Sequence, residues 1–188
     1  SLTIAFEGLP GNGKTNVAWL IADDLKARGL RVSVVDNKTA DNAAIIHSLK
    51  QGYPSGHPIK ILLCWVLRLM QYDFVKKNSE DADVILADRF WNSITAYDGY
   101  GNGMPRSVLE WFGRYIKKQP DITFLLEAPL KVSRRRKKSE TLDNTYFARR
   151  VMRGYQELAR QLSWVRIDAN REILQVKNHC LRVILAKL

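Results

Sequence analysis

The chain reads as a three-layer α/β protein, a parallel sheet with helices on both faces, and three observations predict it. Five short apolar runs, Leu2–Phe6, Arg31–Val35, Val84–Ala87, Ile122–Leu126 and Trp164–Ile167, alternate with stretches of helical periodicity. The runs are continuously apolar rather than alternating, as suits strands covered on both faces. No linker-like stretch interrupts the alternation, so residues 1–188 are expected to form one domain.

Each element has a local reason. In Lys14–Arg28 the residues Val17, Leu20, Ile21 and Leu25 share one helical face, and Gly29 supplies the stop. A longer apolar helix is predicted over Ile59–Lys77, after the turn-forming loop Gly52-Tyr53-Pro54-Ser55-Gly56-His57-Pro58. Further helices are expected over 106–118, 144–162 and 171–187, and His47 and His179 fall on predicted helices with no evident partner.

Composition excludes several classes. Hydrophobic residues make up 46% and charged residues 26% of 188, which is globular rather than disordered. Thirty Lys and Arg against 19 Asp and Glu leave a net charge of +11, which implies an anionic partner: nucleotide, nucleic acid or acidic surface. Cys64 and Cys180 lie outside any CxxC spacing, which argues against a disulfide scaffold or a zinc site and fits a reducing cytosol. No stretch approaches the ~20 apolar residues needed to span a bilayer, and Leu2–Phe6 lacks the basic flank of a signal peptide. The expectation is a soluble cytoplasmic protein without a membrane partner.

The strongest local signal is Gly8-Leu9-Pro10-Gly11-Asn12-Gly13-Lys14-Thr15, which fits G-x-x-x-x-G-K-[ST] and sits between an apolar strand and an amphipathic helix. Glycines let backbone N–H groups turn inward around a phosphate, and the helix aims its positive end at the same anion. Gly8, Gly11, Asn12 and Gly13 would cradle the phosphates of ATP, Lys14 would reach the outer two, and the Thr15 hydroxyl would ligate Mg²⁺. Switch-type GTPases are disfavoured because Asn37-Lys38-Thr39-Ala40-Asp41 has the wrong spacing and place for a base reader. Partitioning-type ATPases are disfavoured because no extra lysine opens the turn.

A second signal is Val84-Ile85-Leu86-Ala87-Asp88-Arg89. A strand ending in Asp places a carboxylate at the sheet edge beside the glycine turn, where it can act on Mg²⁺ or its waters. The planar fork of Arg89 can clamp a second anion; a structural salt bridge explains an Asp-Arg pair as well when it stands alone, but the glycine turn beside it favours the anion site. Asp36, ending the second strand, reads as an acceptor contact or a structural cap.

These motifs resemble thymidylate kinases. Phe6-Glu7-Gly8 looks like the start of that family, and Asp88-Arg89-Phe90-Trp91-Asn92-Ser93-Ile94-Thr95-Ala96-Tyr97-Asp98-Gly99-Tyr100-Gly101 is similar to its DRYxxSxxAYQGxG block. Pro120 to Leu126 resembles its fourth strand, Phe147 to Tyr155 its F-x-x-R-V-x-x-G-Y helix, and Arg166-Ile167-Asp168-Ala169 its last strand and adenine-side loop. The resemblance implies a five-stranded P-loop fold in order 2-3-1-4-5, bound ATP–Mg²⁺, a dTMP acceptor and a homodimer. Arg89 would hold the acceptor phosphate, Asp88 the metal and its waters, Tyr97 the acceptor sugar, and Asp168 would lie on the adenine side. Asp98 stands at the Gln of AYQG. Arg68 falls where the family places a base-contacting arginine, or else is a solvent-facing helix charge.

From Lys131 to Arg153 there are nine basic and two acidic residues. The resemblance puts a basic lid at about 134–146, with Arg134, Arg135, Arg136 and Arg149 as its cations and Arg135 best aligned for catalysis. Asn12 carries no arginine, which agrees with one supplied from the lid. Departures cluster on the acceptor side: Asp36-Asn37-Lys38-Thr39 replaces R-E-P-G, and Cys64, beside Trp65, replaces the stacking aromatic. These keep two alternatives open: a kinase for another or modified deoxynucleotide, free or within DNA, and a nucleotide-binding protein without kinase activity.

Overall fold

A computed structural model describes residues 1–37 and 52–188. Its strands are β1 (Leu2–Glu7), β2 (Val32–Val35), β3 (Val84–Asp88), β4 (Ile122–Glu127) and β5 (Val165–Asp168). All pair in parallel, in the order β2-β3-β1-β4-β5, which is the order the family resemblance implies. The helices are α1 (Lys14–Ala27), α2 (Pro58–Lys77), α3 (Asn92–Ile94), α4 (Arg106–Gly113), α5 (Leu130–Arg136), α6 (Glu140–Asp143), α7 (Thr145–Gln161) and α8 (Ile173–Leu185). His47 and the Lys38-Thr39 half of the altered acceptor segment lie outside the described residues.

The continuous apolar runs divide their side chains between two faces. Ile4 and Phe6 of β1, Leu86 of β3 and Phe124 of β4 pack with Val17, Ile21 and Leu25 of α1 and with Cys180 and Ile184 of α8. Ala5, Ile85 and Ala87 face the other way, onto Trp65 and Val75 of α2 and Leu109 of α4. Leu125 of β4 joins Val151, Tyr155 and Leu158 of α7 in a third cluster. Because β1 and β3 are buried on both faces, period-2 alternation is absent from them.

Two departures from the sequence reading have local causes. Helix α4 stops at Gly113 rather than near 118: Ile116 turns into the core, and the Lys117 N–H donates to the Tyr72 hydroxyl instead of continuing the helix. After α3 the chain runs as a π-helical turn over Thr95–Gly101, for which periodicity gave no warning. Side chains at Gly99 and Gly101 would press on Leu109 and on Phe147 and Val151, so these glycines allow α4 and α7 to approach that turn closely.

Candidate active site

Strand register builds the site. β1 and β3 are neighbours with Phe6 opposite Asp88, so the glycine turn leaves the sheet beside the carboxylate that ends β3. The Thr15 hydroxyl donates to Asp88 Oδ2, while Asp88 Oδ1 is buried with no hydrogen-bond partner. An orphaned carboxylate oxygen beside a hydroxyl suits a hard cation completed by phosphate oxygens and water. Among the described residues no group of three or more His, Cys, Asp or Glu offers an all-protein metal site.

The turn is held from behind. Gly8 and Gly11 have φ of 134° and 81°, and a Cβ at either would lie 2.4 Å from Leu126 O or 2.5 Å from Ser133 O. Only glycine fits these two positions. The Asn12 side chain ties the turn to β4 and to Ser133: its amide donates to Leu126 O at 2.8 Å and its carbonyl accepts from the Ser133 hydroxyl at 2.6 Å. Lys14 Nζ donates to Leu9 O at 2.8 Å. Burial, and then the charge of Arg89, lower the Lys14 ammonium from its usual range to about 7.

In front of the turn lies a cavity of about 630 Å³, lined by Lys14, Thr15, Asp36, Asp88, Arg89, Arg136 and Lys137 among others. A smaller one of about 190 Å³ lies beside it, lined by Lys60, Cys64, Arg68, Tyr97, Asp98 and Phe147 among others. Arg89 and Asn37 line both.

Arg89 sits at φ 76°, a left-handed conformation that costs an ordinary residue about 1–2 kcal/mol. Its N–H donates to Phe6 O at 3.0 Å, and the next N–H, of Phe90, donates to Glu7 Oε1 at 2.8 Å. Its guanidinium donates to the Tyr155 hydroxyl at 2.8 Å and lies 5.3 Å from the Tyr97 ring centre.

Arg68 is 5% exposed, which excludes the solvent-facing alternative. It donates to Gln71 Oε1 and, at 2.8 Å, to Asn37 Oδ1, and burial followed by the nearby Arg89 charge lowers its pKa. Asp98 is spoken for: Oδ2 accepts from the Trp65 indole at 2.6 Å and Oδ1 from the Asn102 amide at 2.8 Å. Burial still raises its pKa against those two bonds. Trp65 therefore does not replace the missing aromatic, because its ring packs 4.4 Å from that of Phe112 in the core, while Cys64 lines the cavity.

The basic segment divides differently from the alignment-based expectation. Arg136, which donates to Ala169 O at 2.7 Å, and Lys137 face the larger cavity, whereas Arg135 and Arg149 are exposed and line neither cavity. Arg134 is taken up by Leu142 O and the Thr145 hydroxyl. Asp36 lines the larger cavity rather than the smaller. Asp168 is exposed, with Oδ1 accepting from the Asn170 N–H, and it is Ala169 and Arg171 that reach the larger cavity. Sequence reasoning assigned nothing to Glu7, Ser93 and Tyr155, although all three lie inside the quoted motif blocks, and nothing to Lys60, Lys137 or Asn102.

A phosphate-binding turn opening onto two cavities joined by an arginine is the layout of a kinase that brings a nucleoside triphosphate and a small phosphorylated acceptor end to end. Comparison specifies the kinase. The thymidylate kinase family model matches residues 6–180, and the chain belongs to that family of ATP-dependent phosphotransferases. It is 30% identical to the thymidylate kinase of Trichodesmium erythraeum, covering 98% of this chain and 95% of that one. It is 32% identical to that of Nitrosomonas eutropha, covering 85% and 80%. The crystal structure of thymidylate kinase from Ehrlichia chaffeensis superposes with a TM-score of 0.76 at 24% identity, over 97% of this chain and 98% of that one, a likeness of fold.

Proposed function

We propose that ATP occupies the larger cavity and dTMP the smaller, and that the γ-phosphoryl group passes across Arg89 to give ADP and dTDP. The observation that carries this arrangement is that Arg89 lies on the wall of both cavities. In the transfer an oxygen of the dTMP phosphate forms the new P–O bond, and the bond from the γ-phosphorus to the β,γ-bridging oxygen breaks, leaving the negative charge on ADP. Little covalent work falls to the protein, and catalysis comes from alignment and neutralisation of the shared charge.

The roles follow from placement. Gly8, Gly11 and Gly13 shape the turn, and the N-terminus of α1 presents N–H groups to the phosphates. Lys14 neutralises the outer phosphates. Thr15 and Asp88 are the residues to hold Mg²⁺, whose contribution when bound is to offset charge on the β- and γ-oxygens. Arg89 binds the acceptor phosphate, Tyr97 borders its sugar, and Arg68 faces its base. Segment 134–146 is the lid, and within it Arg136 and Lys137, rather than Arg135, supply cations to the transferring group.

Further features support finer assignments. Ile59, Leu62 and Val66 leave an exposed apolar stripe along α2, suited to a second copy of the chain. Cys64 and Cys180 are both free thiols, which suits the cytoplasm. The exposed arginines of the basic segment attract nucleic acid only by general charge. No helix among the described residues is long and apolar enough to cross a membrane.

The test is turnover with ATP–Mg²⁺ across a panel of nucleoside and deoxynucleoside monophosphates. dTMP is expected to give the highest kcat/KM. A different monophosphate in first place, or ADP released equally without acceptor, overturns the proposal.

A further inference from the structure

Outside both cavities a buried carboxylate governs the arginine that joins them. We propose that Glu7 is the positioning residue for Arg89, acting through the hydroxyls of Ser93 and Tyr155 and through the backbone of Phe90. This rests on the reading that Arg89 binds the acceptor phosphate.

Glu7 ends β1, immediately before Gly8, and is 0% exposed. Oε1 accepts from the Phe90 N–H at 2.8 Å and Oε2 from the Ser93 hydroxyl at 2.6 Å. Ser93 Oγ lies 2.9 Å from the hydroxyl of Tyr155, which is 1% exposed and accepts from Arg89 Nη1 at 2.8 Å. A carboxylate can only accept and a guanidinium can only donate, so the protons between them have one consistent order. Arg89 donates to Tyr155, Tyr155 to Ser93, and Ser93 to Glu7. Burial raises the Glu7 pKa, while the Arg89 charge, the Ser93 hydroxyl and the Phe90 N–H oppose it. Burial likewise raises that of Tyr155 far above its usual range, which keeps the phenol protonated and able to donate.

The second connection is through the backbone. Arg89 holds a left-handed φ of 76°, and the two N–H groups of this turn are tied to Phe6 O and to Glu7. Glu7 thus fixes both the turn that aims Arg89 and the hydroxyl its guanidinium rests on. Because the glycine turn begins at the next residue, the same carboxylate fixes the offset between the two anion sites. Glu7 lines neither cavity, so its effect on ligands passes through the residues it holds, Arg89 on the wall of both cavities and Ser93 on the wall of the smaller one.

The experiment uses calorimetric titration of dTMP and of ATP into the intact chain. Glu7→Gln keeps an acceptor for Phe90 but turns a donor toward Ser93, which reverses the relay. It is expected to raise the Kd for dTMP at least about tenfold, as loss of a charge-assisted hydrogen bond does, while the Kd for ATP changes less than about twofold. Tyr155→Phe should move dTMP binding the same way by less, and the double variant no further than Glu7→Gln alone, since both act on one chain.

Arg89→Ala separates the two readings. If it leaves dTMP binding intact, the role given to Arg89 falls. If it weakens dTMP binding while Glu7→Gln leaves it unchanged, or weakens ATP equally, the positioning role falls alone. Should Glu7→Gln not fold, Ser93→Ala and Tyr155→Phe decide. Weaker dTMP binding at constant ATP binding in both supports the relay, and unchanged dTMP binding in either overturns it.

Discussion

The two halves of the crevice are built by different means. Around the larger cavity, the proposed donor side, a contiguous octapeptide supplies main-chain atoms, while its polar side chains are tied to fixed partners: Asn12 to Leu126 O, Lys14 to Leu9 O and Thr15 to Asp88. On the acceptor side each wall comes from a different element: Lys60, Cys64 and Arg68 from α2, Arg89 from the end of β3, Tyr97 and Asp98 from the π-helical turn, and Phe147 from α7. A backbone cradle binds any triphosphate tail and tolerates change around it. A side-chain pocket can be re-cut one residue at a time, which is where this chain departs from the family pattern.

The largest expected effect therefore lies on the donor side. Lys14→Ala should lower kcat by about 10²–10³-fold or more, the range for removing one preorganised charge from a transition state, with the fold intact by circular dichroism. Unchanged turnover would refute the site. The same lysine has a measurable pH signature. Burial lowers its pKa in the folded chain to about 7 from the 10.5 of a free lysine, so between those values the unfolded chain binds the extra proton. Stability of the ligand-free protein should then rise with pH through that window, and the gain should vanish in Lys14→Met. ATP should restore the charge, so binding at pH 8 should take up protons, seen by calorimetry in two buffers of different ionisation enthalpy.

Next in size is Arg89→Ala, which should weaken dTMP by about 10–100-fold, the scale of hydrogen bonds to a charged group, and leave ATP nearly untouched. Equal loss of both ligands would mean that the two cavities do not divide the substrates as the comparison of the two halves requires. Smaller again is Cys64→Phe. Restoring a ring to the wall of the 190 Å³ cavity should tighten dTMP by about two- to tenfold through an offset stack. No gain, with the variant folded, would show that Tyr97 and Phe147 already supply what stacking the base receives.

The division between the halves also explains what could be read from sequence. The five strands were legible because a strand buried on both faces is apolar throughout, and the glycine turn because its chemistry is contiguous. Asp88 followed from strand and motif together. Cys64 could be noticed as a departure, but that Trp65 points into the core against Phe112, and that Asp98 is occupied by Trp65 and Asn102, depends on helix rotation and on a π-helical turn that periodicity does not report. Arg68 kept a surface-charge reading beside the base-contacting one, because the burial of one helix face is known only once its neighbours are. Within helical Arg134-Arg135-Arg136 successive residues turn by about 100°, so a shift of one position exchanges the cavity-lining Arg136 for Arg135, and Lys137 reaches the same cavity only because the chain leaves the helix there in an extended conformation. Glu7 stood inside a quoted motif without a role because its partners, Ser93 and Tyr155, lie 86 and 148 residues further along the chain.

The smallest predicted effect concerns the contact that spans the two halves. Glu140, three residues beyond Lys137, accepts from the Ser55 N–H and pairs with Lys60 at 2.5 Å, and both of those residues line the smaller cavity. The basic segment, whose Arg136 and Lys137 line the larger cavity, is thereby fastened to the loop and to α2, which line the smaller one. Lys60 and the Ser55 N–H together hold the Glu140 carboxyl below its usual range against the effect of burial. Both side chains reach solvent, Lys60 at 26% and Glu140 at 48% exposure, so the pair is worth little by itself. Glu140→Gln should raise the KM for dTMP by less than about fivefold at low salt, with a smaller change at 0.5 M salt, because screening already weakens the pair in the parent. If the fastening serves closure of the proposed lid, KM for ATP should rise in step with that for dTMP, since Arg136, Lys137 and Ser139 of that segment line the larger cavity. A change confined to dTMP would instead make Lys60 and Glu140 part of the acceptor wall alone.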